Sequence, residues 1–297
     1  MNCPYLCPMI RDSEIKRLDA LISLMDEPDE TAYLKIRDQV YGFGQEALPF
    51  LEKAVERTFD ELMLQRIMAV MQSIRQENLY RDLLDWVQLG SSDLMKGYLL
   101  ITRSQYPDLD ETSVQTRIEK IRMDMWLELN NNLTALENIQ VMNHIFFDIN
   151  KFEGNKINLN APQNQYLNTL LDTRMGSPLS LGMLYMILAS KLNLPVYGVN
   201  LPQHFILAYL AEPGLHDPTE DDVLFYINPF NKGAVFTRRE IELFLRQMKI
   251  DPDKNYFAPC SNIDIIERLL NVLIYTYNQL GYPEKITDLQ ILLKAIR

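Results

Sequence analysis

Residues 176–209 of this 297-residue chain decide its fold: "GSPLSLGMLYMILASKLNLPVYGVNLPQHFILAY". Ser177 and Pro178 are residue types that cap a helix and occupy its first position. Apolar residues follow at helical spacing until Asn193-Leu194-Pro195 ends the helix. "VYGVN" and "FILAYL" are then typical of strands, with Pro202 confined to their connection. The stretch therefore predicts one helix followed by two strands.

The chain on either side extends this pattern. Downstream, "VLFYINPF" and "KGAVFT" predict a third and a fourth strand, and Thr237 with Glu240 has the capping-box pattern that opens another helix. Upstream, the apolar periodicity predicts helices almost without interruption as far as residue 155. The predicted fold class is therefore α+β and mostly helical.

The two ends of the chain are predicted to be helical modules. In residues 1–90, helix pairs joined by short turns recur with a period of about forty residues and resemble HEAT-type repeats. Residues 256–297 predict a hairpin of two helices around Gly281-Tyr282-Pro283, which resembles one tetratricopeptide (TPR) unit. A single unit cannot bury its own apolar face, so it is expected to pack on the rest of the protein. The predicted domains are residues 1–90, 91–255 and 256–297.

Composition excludes several classes of partner. The formal net charge of −11 argues against a nucleic-acid backbone or an anionic membrane. No transmembrane segment or secretory signal is predicted, and the odd count of three cysteines indicates a reducing, cytoplasmic setting. Cys3 and Cys7 could supply two metal ligands, but no cluster completes a site of four. We expect no metal and no cofactor.

The order of elements is that of a Cys–His–Asp/Asn nucleophilic site. A thiol at a helix N-terminus is favoured as thiolate, a histidine on the next strand exchanges its proton, and an amide or carboxylate on a further strand orients that histidine. His204 and Asn228 fit the second and third roles.

A family resemblance is carried by the segment from Tyr166 to Tyr209. The segment resembles the core of the SirB-type transglutaminase-like proteins through Tyr166, Leu167, Leu170, Leu171, Arg174, Gly176, Pro178, Ser180, Leu181, Gly198, Pro202, His204 and Phe205. It departs from them at Gln203, where the family more often has glycine before the histidine. The resemblance implies a transglutaminase-like core, with a helix packed on a small antiparallel sheet. It also places Pro178 at the position where catalytic members of the wider superfamily carry their nucleophilic cysteine.

Because proline carries no nucleophile and no cysteine lies between Cys7 and Cys260, three readings stay open. The hydrolase or acyl-transferase reading uses His204 and Asn228 with Ser180 or Ser177. Another makes His204 a structural imidazole bonded to Asn228 and to a backbone group, and a third makes it a ligand contact without covalent chemistry. The candidate binding residues are Arg174, Gly176, Pro178, Gln203 and Tyr185. The acidic segment around His216-Asp217 fits no known cation loop.

The leading hypothesis is a degenerate, cysteine-less transglutaminase-like protein that is not an enzyme. It acts as a protein- or peptide-binding module, and the helical ends supply the concave surfaces. The alternatives are the serine-dependent enzyme and a purely structural scaffold. Of these, the scaffold predicts no pocket around His204.

Overall fold

The structure, a computed structural model, describes residues 11–158, 161–212 and 218–297. Cys3, Cys7, His216 and Asp217 lie outside these ranges. The chain is mostly helical with a small antiparallel sheet, as the sequence predicted. It divides into two compact units, one ending at Asp82 and the other running from Leu83 to Arg297.

The first unit is built from helices α1 (Asp12–Ser23), α2 (Glu30–Tyr41), α3 (Leu48–Val55) and the beginning of α4 (Glu61–Gln88). The Asp29 carboxylate starts α2 by accepting from the backbone N–H groups of Thr31 and Ala32. The apolar stripes of the helices form one core, which includes Leu18, Ile22, Met25, Val40, Leu51, Ile67 and Val70. Helix α4 runs unbroken, because neither Gly nor Pro occurs within it.

The second unit contains most of the helices. They are α5 (Leu94–Gln105), α6 (Glu111–Glu128), α7 (Ala135–Asn143), α8 (Leu167–Thr173), α9 (Pro178–Lys191), α10 (Arg238–Gln247), α11 (Asn262–Leu280) and α12 (Pro283–Ile296). The helix predicted to continue to Gly154 is shorter than expected. It passes into a π-helical segment, His144–Ile149, and Gly154 belongs to a strand.

Among the residues that the structure describes, the second unit contains two sheets. Strands β1 (Glu153–Gly154) and β2 (Met175–Gly176) pair in parallel. The larger sheet is antiparallel, with β3 (Val196–Leu201), β4 (His204–Leu210), β5 (Val223–Asn228) and β6 (Ala234–Phe236) in consecutive order. Leu201 pairs with His204 across the tight turn between β3 and β4, so His204 stands at the start of its strand.

Helix α9 is the centre of the second unit. Every residue from Leu179 to Ala189 is buried, and the helix packs on β3 and β4. The ring of Phe205 on β4 fits where two glycines leave room. A Cβ on Gly182 of α9 would lie 2.6 Å from that ring, and a Cβ on Gly198 of β3 would lie 2.7 Å from it. This close fit fixes the strand that carries His204 against the helix that begins at Pro178.

The C-terminal hairpin of α11 and α12 packs on the rest of the second unit, as expected from its apolar face. The Asn262 amide donates to the backbone oxygens of Ser91 and Ser92. Farther along α11, the hydroxyls of Tyr277 and Tyr166 lie 3.0 Å apart. These contacts join α11 to α5 and to the segment before α8.

Candidate functional site

One cavity lies where the N-terminus of α9 meets the sheet and α10. We call it the His204 pocket; its volume is about 330 Å³. It is lined by Pro178, Leu201, His204, Phe205, Ile206, Asn228, Phe230, Phe236, Glu240, Ile241 and Phe244. The fold therefore brings Pro178, His204 and Asn228 to one pocket, although they are far apart in the sequence.

Pro178 takes the first helical position of α9. Ser177 caps the helix, since its Oγ accepts from the Ser180 N–H at 3.1 Å. Proline suits this position because its φ is fixed near the helical value and no partner is needed for an N–H. The same side chain is half-buried in the pocket wall, and it has no group that can attack a substrate.

His204 is positioned by a turn that one arginine stabilises. Arg268 of α11 donates to Asn200 Oδ1 at 3.1 Å, to the Leu201 carbonyl at 3.2 Å and to the His204 carbonyl at 2.8 Å. Gln203 occupies the turn with a φ of +61°, a left-handed conformation that favours glycine. Gln203 thus adopts the backbone conformation for which glycine is better suited. Arg268 joins the two strands on either side of the turn.

The imidazole of His204 is exposed at the pocket mouth. Its ring lies edge-on to Phe244, with centroids 4.9 Å apart. Within the described ranges the imidazole nitrogens have no hydrogen-bond partner. Partial burial and the nearby Arg268 charge lower the pKa of His204 below its usual 6.5. The ring is therefore neutral at pH 7, with one nitrogen able to donate and the other able to accept.

Asn228 ends strand β5 and caps the short turn that follows. Its Oδ1 accepts from the Phe230 N–H at 3.0 Å and from the Asn231 N–H at 3.2 Å. If His204 were a structural imidazole, a hydrogen bond between its ring and the Asn228 side chain would be expected. The structure shows no such bond among the described residues, and the Asn228 oxygen is committed to the turn.

The two candidate serines are engaged in the helix cap. Ser177 Oγ donates to Gln165 Oε1 at 2.7 Å, and Ser180 Oγ accepts from the Ser177 N–H at 2.9 Å. Both serines are buried, and neither lines the His204 pocket. No hydrogen bond joins either hydroxyl to His204 within the described residues, so neither has the base that a serine nucleophile requires.

The sequence comparison covers the part of the chain that forms the pocket. The profile of the Transglutaminase-like superfamily matches residues 112–271, more than half of the chain, and this range contains the helix, the sheet and the pocket. The chain belongs to the transglutaminase-like superfamily. No solved structure matches the chain.

Several relatives of this transglutaminase-like chain carry names without an assigned activity. A UPF0162 protein of Xylella fastidiosa strain Temecula1 is 32% identical over 165 residues, which cover 52% of this chain and 54% of the relative. The UPF0162 protein YchA of Escherichia coli strain K12 is 24% identical over 197 residues, covering 65% and 69%. Human F-box only protein 21 is 34% identical over 110 residues, covering 37% and 17%. The chain thus spans about half the length of the Xylella relative and a small part of the F-box protein.

The one cysteine among the described residues does not replace the missing nucleophile of this transglutaminase-like core. Cys260 lies beside β3, where its backbone N–H donates to the Gly198 carbonyl at 2.8 Å. Burial, reinforced by Asp264, raises the pKa of its thiol to about 12. The thiol is protonated at neutral pH and does not line the His204 pocket.

The other predicted binding residues lie away from the pocket. Tyr185 is fully buried in α9 and donates to Asn143 Oδ1 at 3.0 Å, and Gly176 is buried in β2. Arg174 ends α8 with a φ of +62°, and its guanidinium lies 4.6 Å from the centre of the Phe152 ring. Gln203 lines a separate groove on the other side of the turn, together with Arg268.

The aromatic wall and Glu240 are the part of the pocket that sequence reasoning missed. Phe230, Phe236 and Phe244 come from three different elements, so no local pattern links them. A usable signal existed for Glu240, whose capping-box position fixes it at the start of α10. Within residues 11–158, 161–212 and 218–297, no group of three or more His, Cys, Asp or Glu could hold a metal ion. Among these residues, no helix combines the length and apolar character that crossing a bilayer requires.

Proposed function

We propose that this chain is a non-catalytic member of the transglutaminase-like superfamily that binds a protein or peptide. The observation that carries the proposal is Pro178 in the wall of the pocket that also holds His204 and Asn228. The site keeps its concave shape and its imidazole but has no attacking group. A pocket of this size falls at the small end of the roughly 300–1,000 Å³ seen for ligand sites, so it suits one side chain of a partner.

The state of the surrounding groups supports binding over turnover. The serine hydroxyls serve the cap of α9, and the thiol of Cys260 is protonated. The rival function, a hydrolase or acyl transferase using His204, Asn228 and Ser180 or Ser177, needs a serine that is free to reach the imidazole. The scaffold alternative predicted no pocket at His204, and the cavity of about 330 Å³ speaks against it.

The helical ends of the chain are also part of the proposed binding function. We infer that the chain is a SirB-type protein, with HEAT-like helices in residues 1–90 and a TPR-like hairpin in residues 256–297 that enlarge the binding surface. The negative charge supports a partner other than nucleic acid or membrane, and the cysteine pattern supports a cytoplasmic setting.

Two measurements together test this function. First, the intact chain is treated with a serine-directed fluorophosphonate, and we expect no labelling. Second, tagged wild type and the Phe244→Ala variant are used to capture partners from a cell lysate, and mass spectrometry compares the captured proteins. Leu243→Ala is the matched control, because Leu243 is an exposed neighbour on α10 that does not line the pocket.

We expect Phe244→Ala to lose partners that the wild type and Leu243→Ala both retain. Labelling that disappears in Ser177→Ala or Ser180→Ala would favour the enzyme instead. Identical sets of captured proteins for all three chains would remove the pocket from the binding function.

A further inference from the structure

The His204 pocket is walled by aromatic rings from separate elements. Phe230 follows β5, and its ring packs so closely on Gly154 that a Cβ there would clash with it. Phe236 ends β6 and stacks on Tyr226 with centroids 6.1 Å apart. Phe244 comes from α10. Rings that three elements position independently form a wall that is already in place before any ligand arrives.

The charge of the pocket is negative. Glu240 is the one charged side chain among its lining residues. The N–H and hydroxyl of Thr237 donate to Glu240 Oε2 at 2.7 and 2.9 Å, which holds the pKa of the carboxyl below its usual range. Glu240 is therefore ionised at neutral pH, whereas His204 is neutral and contributes no positive charge.

The nearest cation is already committed elsewhere. Arg268 donates to three oxygens of the turn and lines the neighbouring groove instead of the pocket. Its guanidinium carbon lies 5.7 Å from the centre of Phe205, so that ring already faces one cation. Phe230, Phe236 and Phe244 line the pocket, and among the described residues no arginine or lysine lies over their rings.

We propose that the His204 pocket binds a quaternary ammonium group, carried by a trimethylated lysine of the protein partner. This assignment rests on the binding function proposed above. Aromatic rings attract a cation through their negative faces, and an ionised carboxylate adds to that attraction. The pocket thus matches a ligand that is both apolar on its surface and positively charged.

Among the described residues, the side-chain acceptors of the pocket without a hydrogen bond are Glu240 Oε1 and one nitrogen of the neutral His204 ring, fewer than the three donors of an unmodified ammonium. A lysine –NH₃⁺ brings three donors that need acceptors when it leaves water. The Asn228 oxygen already accepts two backbone N–H groups, and Glu240 Oε2 accepts two from Thr237. A quaternary ammonium has no N–H, so it leaves no donor unsatisfied in the pocket.

Calorimetric titration of the intact chain with capped single-residue probes tests this proposal. The probes are acetyl-trimethyllysine amide, its neutral isostere with carbon in place of the charged nitrogen, and acetyl-lysine amide. We expect the trimethyllysine probe to bind at least about tenfold tighter than either of the others, the ratio expected for a desolvated cation–π contact. Glu240→Gln and Phe244→Leu are expected to weaken it several-fold, while Glu242→Gln, an acid of α10 that does not line the pocket, leaves it unchanged.

Each contrary outcome has a definite meaning. If the neutral isostere binds as tightly as the trimethyllysine probe, the pocket is an ordinary apolar one. If the lysine probe binds as tightly, the pocket does not distinguish methylated from unmethylated lysine. Absence of binding by all probes would also overturn the assignment. Tighter binding of choline or of phosphatidylcholine vesicles would contradict the protein source. The outcomes of the titration are independent of those of the fluorophosphonate and capture experiments, so the proposed binding function is tested separately from the identity of the ligand.

Discussion

The ring of Phe205 lies so close to Gly182 that a methyl group on the glycine would come within 2.6 Å of it. This contact joins the strand of His204 to the helix of Pro178. We predict that Gly182→Ala lowers the free energy of unfolding by about 1–3 kcal/mol, because the extra carbon overpacks a rigid interface. Urea unfolding measures the change.

A smaller side chain at position 205 supplies the control for this contact. Phe205→Leu on its own also destabilises, since it removes buried apolar surface. The double variant should lose less unfolding free energy than the sum of the two single losses, because leucine makes room for the methyl group. Strict additivity would contradict the packing described here. Gly42→Ala, where a Cβ meets backbone oxygens at 3.4 Å or more, should be nearly neutral.

The cap of α9 gives a second prediction. Ser177→Ala removes the acceptor for the Ser180 N–H and leaves Gln165 Oε1 without its donor. The expected loss is about 1–2 kcal/mol of unfolding free energy, the usual cost of an N-cap. Ser190→Ala, at an exposed position near the other end of the same helix, is the matched control and should change stability little. If Ser177→Ala leaves the unfolding free energy unchanged, the cap of α9 does not contribute to stability as described.

The ionisation of His204 gives a third prediction. Its pKa is lowered in the folded chain, so the folded state binds a proton less readily than the unfolded state. The stabilising contribution is therefore complete above the usual pKa of 6.5 and is lost as the pH falls toward the lower folded value. NMR titration of the imidazole should give a pKa below 6.5.

Arg268 supplies the check on that prediction. Its charge is one of the two causes of the shift, so Arg268→Gln should raise the pKa of His204. Arg246→Gln, on the exposed side of α10, should leave it unchanged. A His204 pKa at or above 6.5 in the wild type would show that neither burial nor Arg268 acts on the ring.

Much of the core could be predicted because its signals are local. The Ser177-Pro178 start of α9, the capping box of α10 and the runs of strand-forming residues all depend on neighbours in sequence. Chain order alone was enough to select His204 and Asn228, and the fold brings both to one pocket with Pro178. The Asn228-Pro229 pair is also a turn signal, and it could have indicated that the asparagine caps the turn and does not orient the histidine.

The rest depends on contacts between distant segments. Arg268 stabilises the His204 turn from α11, and nothing near it in the sequence marks it as different from other helical arginines. Phe230, Phe236 and Phe244 meet at the pocket only because the sheet and α10 are packed together. Each of these rings alone is typical of an ordinary core residue. The charge and aromatic character of the pocket are therefore properties of the fold.

We propose that Pro178 stands where a reactive group would be placed, in a site that is otherwise formed. We predict that Pro178→Cys restores a reactive thiol, because the N-terminus of α9 favours thiolate and the neutral His204 can accept the proton of the thiol. The variant is made with Cys3, Cys7 and Cys260 replaced by alanine. Ser190→Cys in the same background supplies a matched thiol at the opposite end of the helix.

The most direct measurement is the pH dependence of iodoacetamide alkylation of these two variants. We expect the thiol introduced at position 178 to titrate at least about one pH unit below an ordinary cysteine pKa near 8.5. We also expect that His204→Ala moves this value upward and that the thiol at position 190 behaves as an ordinary cysteine. If the two thiols titrate alike, position 178 is not the vacant nucleophile position, and the account of an inactivated site is contradicted.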